Sequence, residues 1–183
     1  MVSLAPRHAV LTGAPGAGKT TLLDAAAAAG FQTSPEVARE LLKAPGGMAL
    51  RAADPRGFAE AMTEAHIREF QRYAGHSAPV LFDRGFPDVV GFLDVSGLSV
   101  PKAVDHACRT LRYHGPILRA PAWAAIYVQD PERIQDWEQA VASDEAVTAA
   151  WKRYGYDVTD LPLVGVDERL GFLQRLLPSP SPT

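Results

Sequence analysis

The stretch from Val10 to Thr21, VLTGAPGAGKTT, holds the residues best suited to chemistry. Gly13, four residues, then Gly18-Lys19-Thr20 is the spacing of a phosphate-cradling loop. Glycine costs backbone entropy, so three of them around Pro15 must serve close approach or sharp bending. The segment Gly13, Ala14, Pro15, Gly16, Ala17, Gly18, Lys19, Thr20 and Thr21 would wrap the phosphates of a nucleoside triphosphate. Its backbone N–H groups would converge on the anion, and a helix dipole would add favourable field. Lys19 is expected to face solvent until it meets the outer phosphates, and the Thr20 hydroxyl to ligate Mg²⁺.

A second stretch, PVLFDRGFPD, places Asp83 after a short apolar run, where an acid at a strand end supports Mg²⁺ directly or through water. Arg84 keeps its charge and could hold a phosphate or a carboxylate bidentately, or form a plain ion pair. Asp88 reads as an acid compensating the dipole of a helix that starts near Pro87. Glu36 is assigned to the first turn of a helix, with Ser34 as N-cap and Pro35 at the first helical position. A carboxylate there could instead accept the proton of a substrate hydroxyl as that oxygen attacks phosphorus. Arg133 falls just inside an expected helix start, where a cation opposes the dipole, and is a candidate for transition-state charge on a transferring phosphoryl group. Arg109 and Arg112 could form a basic lip beside the phosphates or a solvated helix face. The histidines show no metal-ligand spacing, and His66 fits the edge of the core.

The elements that would position these residues alternate along the chain. His8 to Thr12 reads as a buried strand and Thr20 to Ala29 as an alanine-rich helix ended by Gly30. Phe31 to Thr33 is a short strand, followed by a helix to Lys43 or Ala44. Pro45-Gly46-Gly47 breaks it and leaves a loop to Pro55, where Asp54-Pro55 opens a helix through Tyr73. Val80 to Asp83 is a strand, with helices near Pro87 to Val95 and Pro101 to Tyr113. Pro116 to Ala120 and Ala125 to Val128 both qualify as the next strand, the first being favoured. A helix from Pro131 to Tyr154, opened by Asp130, carries Ile134, Trp137, Val141, Val147 and Trp151; the stretch WAAIYVQDPERIQDWEQA around its start suggests a mobile lid or, alternatively, an ordinary amphipathic helix with Trp137 in the core. Tyr156 to Leu161 and Glu168 to Leu177 are the last strand and helix. Such alternation predicts a three-layer α/β/α domain over residues 1–177, with a parallel sheet of about five strands and a site at its carboxyl edge. Residues 178–183, PSPSPT, read as a disordered tail.

The 183 residues carry a formal net charge of -3, which gives no general nucleic-acid footprint. The single cysteine, Cys108, excludes an intramolecular disulfide framework, fits the cytoplasm and reads as core. No signal peptide or membrane-length apolar run is evident, so no membrane partner is expected.

On LTGAPGAGKTTLL, PEVARELL, FDRGFPDVVGFL, IYVQDPERIQDW and the terminal helix, the chain resembles a family of small P-loop proteins labelled AAA-type ATPases. That family is related to the ribosylnicotinamide kinase domain of bacterial NAD-metabolism regulators. More distantly the layout is similar to deoxynucleoside kinases, in which Glu-Pro follows the second strand and an acid-Arg pair the third. Here Pro35-Glu36 reverses the first pair, and Asp83-Arg84 has aspartate in the second. The resemblance implies a nucleoside- or nucleotide-kinase-like fold that uses ATP and Mg²⁺. The expected activity is phosphoryl transfer to a small hydroxyl-bearing acceptor, nucleoside-like metabolites among the candidates. The alternative is an ATPase switch read by a protein partner. The expected catalytic set is Lys19, Glu36, Asp83, Arg84 and Arg133, with Thr20 and Asp83 on the metal.

Overall fold

In a computed structural model the chain is described over residues 8–76, 78–127 and 136–177. Arg133, Ile134 and the expected tail at 178–183 lie outside the described residues.

Five strands run in the order of the sequence between helices: β1 (Ala9–Gly13), β2 (Gln32–Thr33), β3 (Val80–Asp83), β4 (Ile117–Ala120) and β5 (Val158–Asp160). They pair in the spatial order β2-β3-β1-β4-β5, every pair parallel. The helices are α1 (Lys19–Ala28), α2 (Val37–Lys43), α3 (Gly47–Ala53), α4 (Pro55–Arg72), α5 (Phe86–Val95), α6 (Lys102–Thr110), α7 (Trp137–Arg153) and α8 (Val166–Leu176). Of the two strand readings after α6, the first is the one observed, and Ala124 to Ile126 form a turn.

The period-2 alternation of each strand feeds two cores, one per sheet face. Ala9, Leu11, Leu81 and Leu118 point to one face, where Leu22 and Ala26 of α1 meet Leu173 of α8. Val10, Val80, Phe82 and Ile117 point to the other, against Phe58 and Met62 of α4, Val89 and Leu93 of α5, Val104 and Cys108 of α6 and Trp151 of α7. Burial of each Val, Leu, Ile, Phe or Met among them stabilises the fold by about 1.5–3 kcal/mol. His66 lies buried in the second core, edge-on to Phe86 at 5.9 Å, and Cys108 is buried with its thiol pushed up to about 12 by that burial. Both match the sequence expectation.

Four readings fail, each for a physical reason. Pro45-Gly46-Gly47 does not open a loop: Gly46 takes the left-handed conformation at φ +81° and starts α3 directly. Glu36 is the residue before α2 rather than a member of its first turn. Ser34 does not cap that helix, because its hydroxyl accepts from the Asp83 N–H at 3.0 Å. Trp137, placed in the core by one of its two readings, is 36% exposed at the start of α7, and its ring packs edge-on to Tyr127. The Asp136–Gln139 capping box, closed by bonds of 2.8 and 3.0 Å, starts α7 immediately before Trp137.

Candidate active site at the carboxyl edge of the sheet

Gly13 ends the central strand β1 with φ +113°. A Cβ at that position would sit 2.2 Å from the Ala120 carbonyl oxygen, so only glycine lets the chain leave the sheet across β4. The Ala14 N–H then donates to that same oxygen at 3.0 Å. Gly18, at φ +80°, turns the chain into α1, whose first residues are Lys19, Thr20 and Thr21. The segment from Gly13 to Thr21 is therefore a strand–loop–helix with its helix N-terminus facing the strand ends. Both threonines are exposed there, leaving the Thr20 hydroxyl available.

Lys19 does not face solvent. Its ammonium is buried and folds back to donate to the carbonyls of Ala14 and, at 3.4 Å, Gly13. Burial, then the charge of Arg84, lowers it to about 7 against the pull of Asp83, Glu36 and Asp88. Asp83, at the end of β3, is buried, and its Oδ1 has no hydrogen-bond partner. Burial, then the neighbouring Glu36 carboxylate, raises its carboxyl to about 6, opposed by Arg84 and Lys19. An orphaned buried carboxylate oxygen beside a phosphate loop suits a hard cation, which takes oxygen ligands.

Arg84 is the one described non-glycine residue at positive φ, +66°. Such a backbone costs about 1–3 kcal/mol and persists only where its surroundings over-determine it. Its N–H donates to the Leu11 carbonyl of β1 at 3.0 Å. Its guanidinium Nη1 donates to Gly13 O at 3.2 Å and to Asp88 Oδ1 at 3.0 Å, and Nε lies 3.8 Å from Glu36. Burial alone would lower the guanidinium; Asp88, Glu36 and Asp83 outweigh it and hold it raised. Glu36 also pairs with Arg39 at 3.2 Å. Lys19, Glu36, Asp83 and Arg84 thus form one electrostatic cluster against the loop. Arg109 and Arg112 do not join it. Arg109 pairs with Asp105, and Arg112 donates to the Tyr154 carbonyl at the end of α7, both just ahead of strand starts.

On the other side of the loop lies a cavity of about 340 Å³ lined by Gly18, Thr21, Leu22, Trp123, Ile126 and Arg169. Arg169, buried at 3% exposure, donates to Ala17 O at 2.7 Å and Pro162 O at 2.8 Å, and stands 5.0 Å over the Trp123 ring. Its Nη2 has no partner. Trp123 begins the stretch read from the sequence as a lid candidate, whereas no sequence expectation singles out Arg169. The available signal was the spacing of Arg169, Leu173 and Leu177, which puts a cation on an apolar helix stripe.

A family model described as an AAA domain matches residues 8–169. The chain belongs to that AAA domain family. No curated protein matches it in sequence. Among solved structures, deoxyadenosine kinase from M. mycoides, with products dCMP and dCDP bound, superposes with a TM-score of 0.69 at 12% identity. That match covers 92% of this chain and 97% of the kinase. NadR in complex with NR superposes at 0.65 and 16% identity over 94% of this chain, which spans about half of NadR. NadR with NAD and AMP-PNP gives 0.65 at 15% over 93% of this chain and 49% of NadR. This AAA domain thus has the nucleoside-kinase-like P-loop fold, a parallel five-stranded sheet between helices.

Proposed function

We propose that the protein is an Mg²⁺-dependent phosphotransferase that moves the γ-phosphoryl group of ATP to a hydroxyl of a small, nucleoside-like acceptor. The observation that carries this reading is the Glu36–Arg84–Asp83–Lys19 cluster facing the phosphate loop, with Glu36 tethered 3.8 Å from an arginine that also touches Gly13. A device for binding ATP alone needs the loop and its lysine. A carboxylate held beside a phosphate-directed arginine adds a proton acceptor where an attacking hydroxyl would stand. The similar folds of deoxyadenosine kinase and NadR, solved with nucleotides or NR, support the same reading.

Asp83 and the Thr20 hydroxyl are the protein groups suited to hold Mg²⁺. Among the described residues there is no cluster of three acidic, histidine or cysteine ligands. That fits a cation coordinated chiefly by phosphates and water. When bound, the ion would neutralise charge developing on the β- and γ-oxygens. Lys19 would exchange its carbonyl acceptors for phosphate oxygens, which bond an ammonium more strongly. Arg84 would meet the transferring group, and Glu36 would orient and deprotonate the acceptor. Arg133 remains a candidate for a second charge on that group. The nucleotide base would enter the cavity lined by Trp123 and Arg169.

A second reading, the ATPase switch, draws on Met48 and Leu50, which α3 leaves 52% and 38% exposed as a surface a partner could cover. ADP release measured with and without each member of a nucleoside panel separates the two. A phosphotransferase is stimulated by its acceptor, whereas a switch turns over at one rate throughout.

A further inference from the structure

We propose that Asp88 is a positioning residue of the phosphate site, fixing the guanidinium of Arg84 and tying its setting to helix α7 through Trp151. The inference rests on the phosphotransferase reading of the site and adds a part to it.

Both oxygens of the buried Asp88 carboxylate are fully engaged. Oδ1 accepts from Thr12 Oγ1 at 2.6 Å and Arg84 Nη1 at 3.0 Å. Oδ2 accepts from the Gly85 N–H and from Trp151 Nε1, each at 3.0 Å. A carboxylate offers about four acceptor sites, so none is left for a nucleotide, an acceptor hydroxyl or a cation. Whatever Asp88 does for the reaction, it does through Arg84.

Helix capping accounts for one of these four bonds, that from Gly85. The other three come from Thr12 near the end of β1, from the site's own arginine and from α7. Thr12 and Trp151 are both fully buried, so neither donor can wander. The Trp151 ring is wedged against the turn that carries Arg84: a Cβ on Gly85 would come within 2.9 Å of it. The three donors other than the arginine, from Thr12, Gly85 and Trp151, set the plane of the carboxylate, and the carboxylate, with Gly13 O and Glu36, sets the arginine fork. Preorganised donors stabilise developing charge without reorganising at the moment of reaction. Through Trp151, the position of α7 against α5 becomes part of that setting.

The test is a double-mutant cycle on the whole chain, reading Mg-ATP turnover as ADP release, the KM for ATP and the thermal melt. Thr12→Val removes one donor while keeping shape, and Trp151→Phe removes another at the cost of a core cavity that the melt reads separately; Asp88→Asn turns two donors toward an amide. Each should lower kcat by roughly 10-fold, within the range coupled neighbours show, with the KM for ATP little changed. In an Arg84→Met background the same substitutions should have no further effect on kcat. Unchanged kcat in folded Thr12→Val and Trp151→Phe, or losses that multiply in the Arg84→Met background, would overturn the proposal. Should Asp88→Asn fail to fold, the other two variants decide. A wild-type protein that neither binds nor turns over ATP would instead bring down the phosphotransferase reading, and this proposal with it.

Discussion

At the scale of single residues, two side chains carry charges that the structure has moved toward neutrality. Lys19 is buried and lowered to about 7, yet a triphosphate needs its charged form. ATP binding above neutral pH should therefore take up a proton, seen as a dependence of the titration heat on buffer ionisation enthalpy. Lys19→Ala should remove that dependence and weaken binding by roughly 10–100-fold, the worth of one charge-assisted hydrogen bond. Asp83 is raised to about 6, and a cation needs its ionised form. Mg²⁺-dependent turnover should accordingly fall as pH drops through about 6, and Asp83→Asn should lose that turnover at every pH. On the fold the same shift has the opposite sign. Its stabilising contribution is present below the ordinary value of about 3.9 and lost as pH rises through about 6. Lys19 and Asp83 were legible because spacing and a strand end announce them. Asp88 and Arg169 were not, because their meaning lies in partners 76 and 152 positions away, Thr12 and Ala17.

At the scale of elements, α7 is held to the sheet by a polar strut. Arg119 of β4 donates to both oxygens of the buried Asp144, at 2.9 and 2.8 Å, and reaches Asp160 of β5 at 3.2 Å. Asp144 Oδ2 also accepts from Ala122 N–H, just past β4. Asp144→Ala leaves Arg119, 23% exposed, with Asp160 alone. The loss should be about 3 kcal/mol, the low end for breaking a buried pair. For a chain of this size that lowers the melting temperature by roughly 6–12 °C. Urea or thermal melts read it directly. Order and type of the elements were largely legible from period and breakers, since Asp54-Pro55 caps and opens α4 as its residue types dictate. The exceptions share one cause. In each, the residue types allowed two outcomes: at Gly46 the left-handed turn starts α3 at once instead of opening a loop, and at Ser34 the distant Asp83 N–H takes the hydroxyl.

For the whole molecule, the parallel order β2-β3-β1-β4-β5 brings the ends of β1 and β3 side by side, with the residues after β2 next to them. That juxtaposition makes one site of Gly13 to Thr21, Asp83-Arg84 and Glu36, three segments spread over more than seventy positions of sequence. No helix among the described residues is long and apolar enough to cross a membrane. Glu36→Gln isolates the proposed transfer of a phosphoryl group to an acceptor, because the substitution keeps size while removing the proton acceptor. General-base contributions run about 10²–10⁴-fold. The deciding measurement follows γ-labelled ATP into small molecules, using a nucleoside-rich metabolite extract with wild type and Glu36→Gln at matched ATP occupancy. Label should appear on an organic acceptor with wild type and fall by roughly that factor in the variant, with ATP binding little changed. Label released only as inorganic phosphate, at the same rate in both proteins and with or without extract, would contradict the account.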